Sequence, residues 1–148
     1  MNIFKSILNN LKVISINANL EKNLEKFIAK QITINDLCHQ LILLNENKTE
    51  FGFIGINSNK NDCIYFTKES NNNFNIEFEA VEKSQIPYFE KVKNFAEKNN
   101  YSYKEKANNI PYIQIMTETD IEQTIELAKQ IQSEIFGNNE NTRYNVVP

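Results

Sequence analysis

From Phe74 to Ala80 every second residue is apolar, namely Phe74, Ile76, Phe78 and Ala80, and every residue between them is polar, namely Asn75, Glu77 and Glu79. Successive side chains of a strand point to opposite faces, so this alternation dictates a strand with one covered face and one wet face. Two runs of the same period precede it. Phe51 to Ile56 puts Phe51 and Phe53 on one side and Ile54 and Ile56 on the other, and Cys63 to Thr67 is the next. The polar stretches Asn57 to Asp62 and Glu69 to Asn73 supply turns, so the region from Thr49 to Lys83 reads as a three-stranded antiparallel meander. Gly52 and Gly55 in the first run predict a bulge or the close approach of another backbone.

On either side of the meander the apolar period changes to that of a helix. Pro87 suits a first helical turn; Tyr88, Phe89, Val92, Phe95 and Ala96 then share one face, and Asn99 or Asn100 ends the helix because asparagine tolerates the left-handed conformation. Asn35 and Asp36 predict a helix start ahead of Leu37, Cys38, Leu41, Ile42 and Leu44. Tyr101 to Lys106 and Pro111 to Glu118 read as a second antiparallel pair, turning around Ala107 to Ile110. A closing helix starts at Thr119, with Glu122 completing a T-x-x-E capping box, carries Ile121, Ile125, Ala128, Ile131 and Ile135 as its stripe, and stops at Gly137. Ahead of all this, Ile3, Phe4, Ile7, Leu8 and Leu11, and then Leu20, Leu24, Phe27 and Ile28 behind Asn19, predict two further helical pieces.

The fold class that follows is α+β: a single antiparallel five-stranded sheet packed against helices, in the order α-β-β-β-α-β-β-α with an extra N-terminal helical segment. At 148 residues one domain over 1–148 is the expectation, with 1–34 as a helical extension and 138–148 as a partly ordered tail docked by Val146 and Val147.

Sixteen Lys plus Arg face nineteen Asp plus Glu, for a formal charge of −3, and Arg143 is the only arginine. Phosphate-backbone binding needs a concentrated cationic footprint, so nucleic acid is not an expected partner. No stretch approaches the length of a membrane span, and Lys5, Asn9, Asn10 and Lys12 interrupt the apolar core a signal peptide needs. A cytoplasmic protein is expected, and the heavy use of Asn, Ile and Lys fits an A/T-rich bacterial genome. Cys38 and Cys63 lie in apolar-patterned segments and read as two buried thiols rather than a bridge.

The search for chemistry is mostly exclusion. With three glycines, Gly52, Gly55 and Gly137, the chain has neither a P-loop nor a dinucleotide fingerprint. One histidine, His39, and no C-x-x-C or H-x-x-x-H spacing give no metal-site expectation, and no cofactor is implied. Asp36 lies three residues before His39 and could orient its ring, but neighbouring helical residues point about 100° apart, which separates His39 from Cys38. Glu77, Glu79 and the following Glu82 have a spacing that paired carboxylates could use; a solvated sheet face explains them better. Tyr65, Phe66, Tyr101, Tyr103 and Tyr112 all fall on predicted strands, and tyrosine suits interfaces because its ring buries area while its hydroxyl stays hydrated.

The run FNIEFEAVEKSQIPYFEKVKNFAEKNNYSY and the closing segments PYIQIMTE and TDIEQTIELAKQI give an element order similar to that of the class I type III secretion chaperones and related chaperone-like domains. The resemblance covers about Asn35 to Gly137. It implies a non-enzymatic protein that holds an extended partner segment and pairs as a homodimer, with no catalytic residue. Tyr101, Tyr103 and Tyr112, chosen by exposure rather than by a family motif, are the expected partner-binding residues. The alternatives are an immunity protein that neutralises a toxin, or a small ligand-binding domain or enzyme that uses Asp36 and His39.

Overall fold

The computed structural model describes residues 31–106 and 109–147. The chain divides into two compact units, Met1–Lys30 and Gln31–Pro148, and the description concerns the second. Both helical pieces expected before Ile28 lie outside the described residues.

In chain order the elements are β1 (Gln31–Ile32), a 3-10 turn (Ile34–Asp36), α1 (Leu37–Asn45), β2 (Phe53–Asn57), β3 (Ile64–Ser70), β4 (Asn73–Glu79), a 3-10 turn (Lys83–Gln85), α2 (Ile86–Lys98), β5 (Tyr103–Lys106), β6 (Tyr112–Thr119), α3 (Ile121–Glu134) and β7 (Tyr144–Val147). The strands form one antiparallel sheet ordered β1-β7-β2-β3-β4-β6-β5. The α+β class and the inner order α-β-β-β-α-β-β-α are therefore present, but among the described residues the sheet has seven strands, not five. The two additions come from segments read as helical extension and tail. Val146 and Val147 do dock, and they do so as a strand, with Val146 opposite Ile56 and Val147 opposite Gly55. A two-residue strand such as β1 has no period to detect; it exists because β7 offers it an edge, placing Ile32 opposite Tyr144.

The core forms on one side of the sheet. Ile54, Ile56, Ile64, Phe66, Phe74, Ile76, Phe78, Ile113 and Ile115 meet Leu37, Leu41 and Leu44 of α1, Phe89, Val92 and Phe95 of α2, and Leu127, Ala128 and Ile131 of α3 in one buried cluster. Dehydrating this area is the main force holding the layers together. Asparagines end the helices as their conformational tolerance allows: Asn47 and Asn100 take positive φ (59° and 60°). Behind Asn100, Tyr101 N–H donates to Ala96 O (2.9 Å) and Asn100 N–H to Glu97 O (3.2 Å), which satisfies the last carbonyls of α2.

The cap of α3 differs from the expected one by a residue. Asp120 is the N-cap, accepting from Gln123 N–H at 2.8 Å while Gln123 Oε1 accepts from Asp120 N–H at 3.2 Å. Thr119 is still part of β6, and its buried hydroxyl meets that of Thr124 at 2.8 Å. The TxxE and DxxQ boxes overlap in sequence, and the strand's need for one more buried position selects the second. Residues 116–118 depart from ideal pairing, because β6 carries extra residues where Phe74 faces Thr119 and Ile76 faces Ile115. Buried Asn75 holds this bulge, its Oδ1 accepting from the N–H of Glu118 (3.0 Å), a residue with φ 50°. No bulge occurs at Gly55 in β2; the close approach does, since a Cβ there would meet Tyr65 Cε1 at 2.8 Å and Val147 Cβ at 3.2 Å.

Candidate functional site

All three described helices lie against the same face of the sheet, which leaves its other face to be built from the alternate strand residues. Register places Val147, Gly55, Tyr65, Glu77, Gln114 and Lys104 in one row across this open face, and Glu79, Tyr112 and Lys106 in the next. At one end, Phe51 stacks on Phe53 (centroids 5.6 Å, interplanar 11°), and Phe53 meets the edge of Tyr65 (5.7 Å, 80°). Phe51 and Phe53 remain 49% and 36% exposed, a contiguous aromatic strip rather than scattered apolar side chains.

Beside the strip the Glu77 carboxylate is partly stripped of water. Burial pushes the Glu77 carboxyl above its ordinary value, an interaction with the Tyr112 hydroxyl pulls it back, and Glu79 adds to the rise. Burial likewise pushes the Tyr65 and Tyr112 phenols up, with Cys63 and Glu77 as their respective partners. Lys106 lies over the Tyr112 ring at 6.0 Å, so this face already holds one cation against an aromatic surface. Glu79, Tyr112, Lys106, Asn109 and Ile110 line a hollow of about 390 Å³. A half-desolvated carboxylate flanked by phenol rings favours a cationic group that restores its solvation, and it disfavours anions.

The three tyrosines nominated from sequence do not converge. Tyr112 lies on the open face, but Tyr103 faces α2, where its hydroxyl donates to Glu97 at 2.6 Å, and Tyr101 packs against the core. A Lys93–Glu105 ion pair at 3.1 Å makes the same β5-to-α2 tie. Strand parity decides this: Tyr103 is opposite Ile115 and shares its helix side, whereas Lys104 and Lys106 take the open side. Phe51 and Phe53, which the period puts on one strand side, and Tyr65, which stands among the strand aromatics, are not nominated from sequence as partner-binding residues, although the FxF pair followed by a second strand carries their signal.

Asp36 and His39 form no pair. The Asp36 carboxylate accepts instead from Thr33 N–H (3.3 Å) and Thr33 Oγ1 (3.2 Å), and His39 is exposed with no hydrogen bond or ion pair among the described residues. Cys38 and Cys63 are free thiols as expected, though only partly buried. Burial is the main cause that pushes Cys63 up to about 11, which keeps it protonated and a poor nucleophile. Among the described residues no three His, Cys, Asp or Glu side chains gather as a cation site requires, and no helix is long and apolar enough to cross a membrane.

A second polar centre lies on the other side of the sheet. Asp62, fully buried at the end of the β2–β3 turn, accepts from the N–H groups of Ser58 (2.8 Å) and Asn59 (3.0 Å), from the Ser58 hydroxyl, and from the Asn138 amide (2.9 Å). Gln132 donates to the Asp62 carbonyl (3.0 Å) and accepts from Asn138 (2.8 Å). This knot ties the turn to the end of α3, and its saturated bonds make it structural. No family model, curated protein or solved structure matches this chain.

Proposed function

We propose that the chain is a non-enzymatic protein-binding module whose open sheet face holds an extended segment of a partner protein. The observation that carries this is the exposed strip Phe51–Phe53–Tyr65 set beside the half-desolvated Glu77 and its neighbours Glu79 and Tyr112. A segment with apolar side chains for the strip and a lysine or arginine for the carboxylates fits both parts. The element order, similar to that of the class I type III secretion chaperones, supports the same reading.

Panning a displayed random-peptide library on the full chain tests this. Recovered peptides are expected to combine a basic residue with aromatic or aliphatic ones. Their affinity should fall roughly tenfold, the equivalent of about 1.4 kcal/mol, in Phe53→Ala and in Glu77→Gln/Glu79→Gln. Equal binding by these variants, or recovery of acidic peptides only, overturns the proposal. Light scattering that finds a homodimer dispersed by Phe53→Ala would assign the face to self-pairing instead.

A further inference from the structure

On the open face the two signs of charge stand apart instead of cancelling. Glu77 and Glu79 come from β4, and Lys104 and Lys106 come from β5. Strand β6 runs between them, with Gln114 opposite both Glu77 and Lys104, and Tyr112 opposite both Glu79 and Lys106. Neighbouring strands lie about 4.8 Å apart, so in each row the lysine backbone is roughly 10 Å from that of the glutamate. None of these carboxylates and ammonium groups has an ion pair among the described residues. The helix side of the same short strand behaves differently, since Glu105 is paired there with Lys93 at 3.1 Å. Opposite charges directly across from each other stabilise a sheet. The open face forgoes that gain and keeps an acidic and a basic patch, with Lys104 and Lys106 both exposed.

Resting on the reading that this face holds an extended partner segment, we infer that it also sets the order of that segment's charges. Apolar side chains lie over Phe53 and Tyr65, a lysine or arginine comes next at Glu77 and Glu79, and an aspartate or glutamate follows at Lys104 and Lys106. The register supplies the order: from β2 to β5 one row runs Gly55, Tyr65, Glu77, Gln114 and Lys104, hence aromatic, acidic, neutral and then basic. Strand spacing supplies the distances. An extended segment rises about 3.4 Å per residue and turns alternate side chains to one face. Tyr65 and Glu77 are one strand apart, which puts the cation about two residues beyond the apolar group. Glu77 and Lys104 are two strands apart, which puts the anion about two to four residues beyond the cation. The lysines also select against a segment that is basic throughout: the carboxylates alone would accept it, but at β5 it meets like charge.

The experiment pans one displayed random-peptide library on the full chain and on two variants, Lys104→Glu/Lys106→Glu and Lys104→Gln/Lys106→Gln. Peptides recovered on the parent are expected to carry an acidic residue about two to four positions from the basic one, on the side away from the apolar residues. They should bind the glutamate variant about tenfold and the glutamine variant about threefold more weakly. The glutamate variant should itself recover peptides with a second basic residue at that place. The glutamine variant adds no new repulsion on the face, so it still decides the matter where the glutamate variant unfolds. Parent peptides that are apolar and basic with no acidic preference, or that bind the glutamine variant as they bind the parent, overturn the inference and leave the proposed function standing. An empty selection, or peptides that bind Phe53→Ala undiminished, overturns that function and the inference with it. A parent dimer that light scattering shows to be dispersed by Lys104→Glu/Lys106→Glu assigns these charges to self-pairing and overturns the inference as well.

Discussion

Strand β4 carries two environments on alternate residues. Phe74, Ile76 and Phe78 are at most 1% exposed beneath the helices, whereas Glu77 and Glu79, from the same seven residues, face outward. On the covered side burial comes from helices and is complete. On the open side it is complete at Asn75, beside the bulge, and only partial at Glu77, enough to raise the pKa of Glu77, and it does not hide Phe51 or Phe53. One face is thus committed to holding the fold, and the other keeps interaction capacity that folding has not used.

The sharpest way to break this contrast is to truncate one aromatic on each side. Phe66→Ala, on the covered face, should lose about 3–5 kcal/mol in urea unfolding. Phe53→Ala, which gives up the contacts with Phe51 and Tyr65, should lose distinctly less, about 1–2 kcal/mol. Equal losses would make the open face part of the core. Next in size is Asp62→Ala, which strands the Ser58 and Asn59 amides and frees Asn138 from its anchor; a loss of about 3 kcal/mol is expected by the same measurement.

A smaller effect separates packing from exposure on the open face itself. Gly55→Ala puts a Cβ against the Tyr65 ring and Val147, and should cost about 1–2 kcal/mol. Adding Tyr65→Ala should recover part of that loss in a double-mutant cycle, because the ring is the nearest obstacle. The smallest effect is electrostatic. Glu77 has a folded pKa raised above its unfolded value, so its protonated form is the one the fold prefers. Its contribution is present below the unfolded pKa and is lost as pH rises through the folded pKa. Glu77→Gln should therefore unfold at a slightly higher temperature than the parent at neutral pH, with the gap closing as the pH falls below the usual carboxylate range. A gap that widens in acid would mean that Glu77 is stabilised as an anion on this face.

Much of the fold was legible because its elements repeat a period. The alternation at Phe74–Ala80 and the stripe Phe89, Val92, Phe95 and Ala96 predict β4 and α2 directly, and the tolerance of Asn100 for a left-handed turn predicts where α2 stops. The cap of α3 was ambiguous because two capping boxes overlap, and the resolution at Asp120 depends on how far β6 runs before it ends. The candidate site was half legible. Tyr101, Tyr103 and Tyr112 are all nominated by expected exposure, but only Tyr112 lies on the open face, because exposure read from sequence does not settle which way a strand residue points.

Hydrophobic period, helix stops and net charge were determined by the chain itself, since each depends on neighbours within a few residues. The partners of β1 and β7, the burial of Asp62 and Tyr144 and the meeting of Phe53 with Tyr65 were decided only by the tertiary structure. Each of these joins segments distant in sequence or sets a side chain against another strand, and such encounters depend on pairing order and register rather than on local spacing.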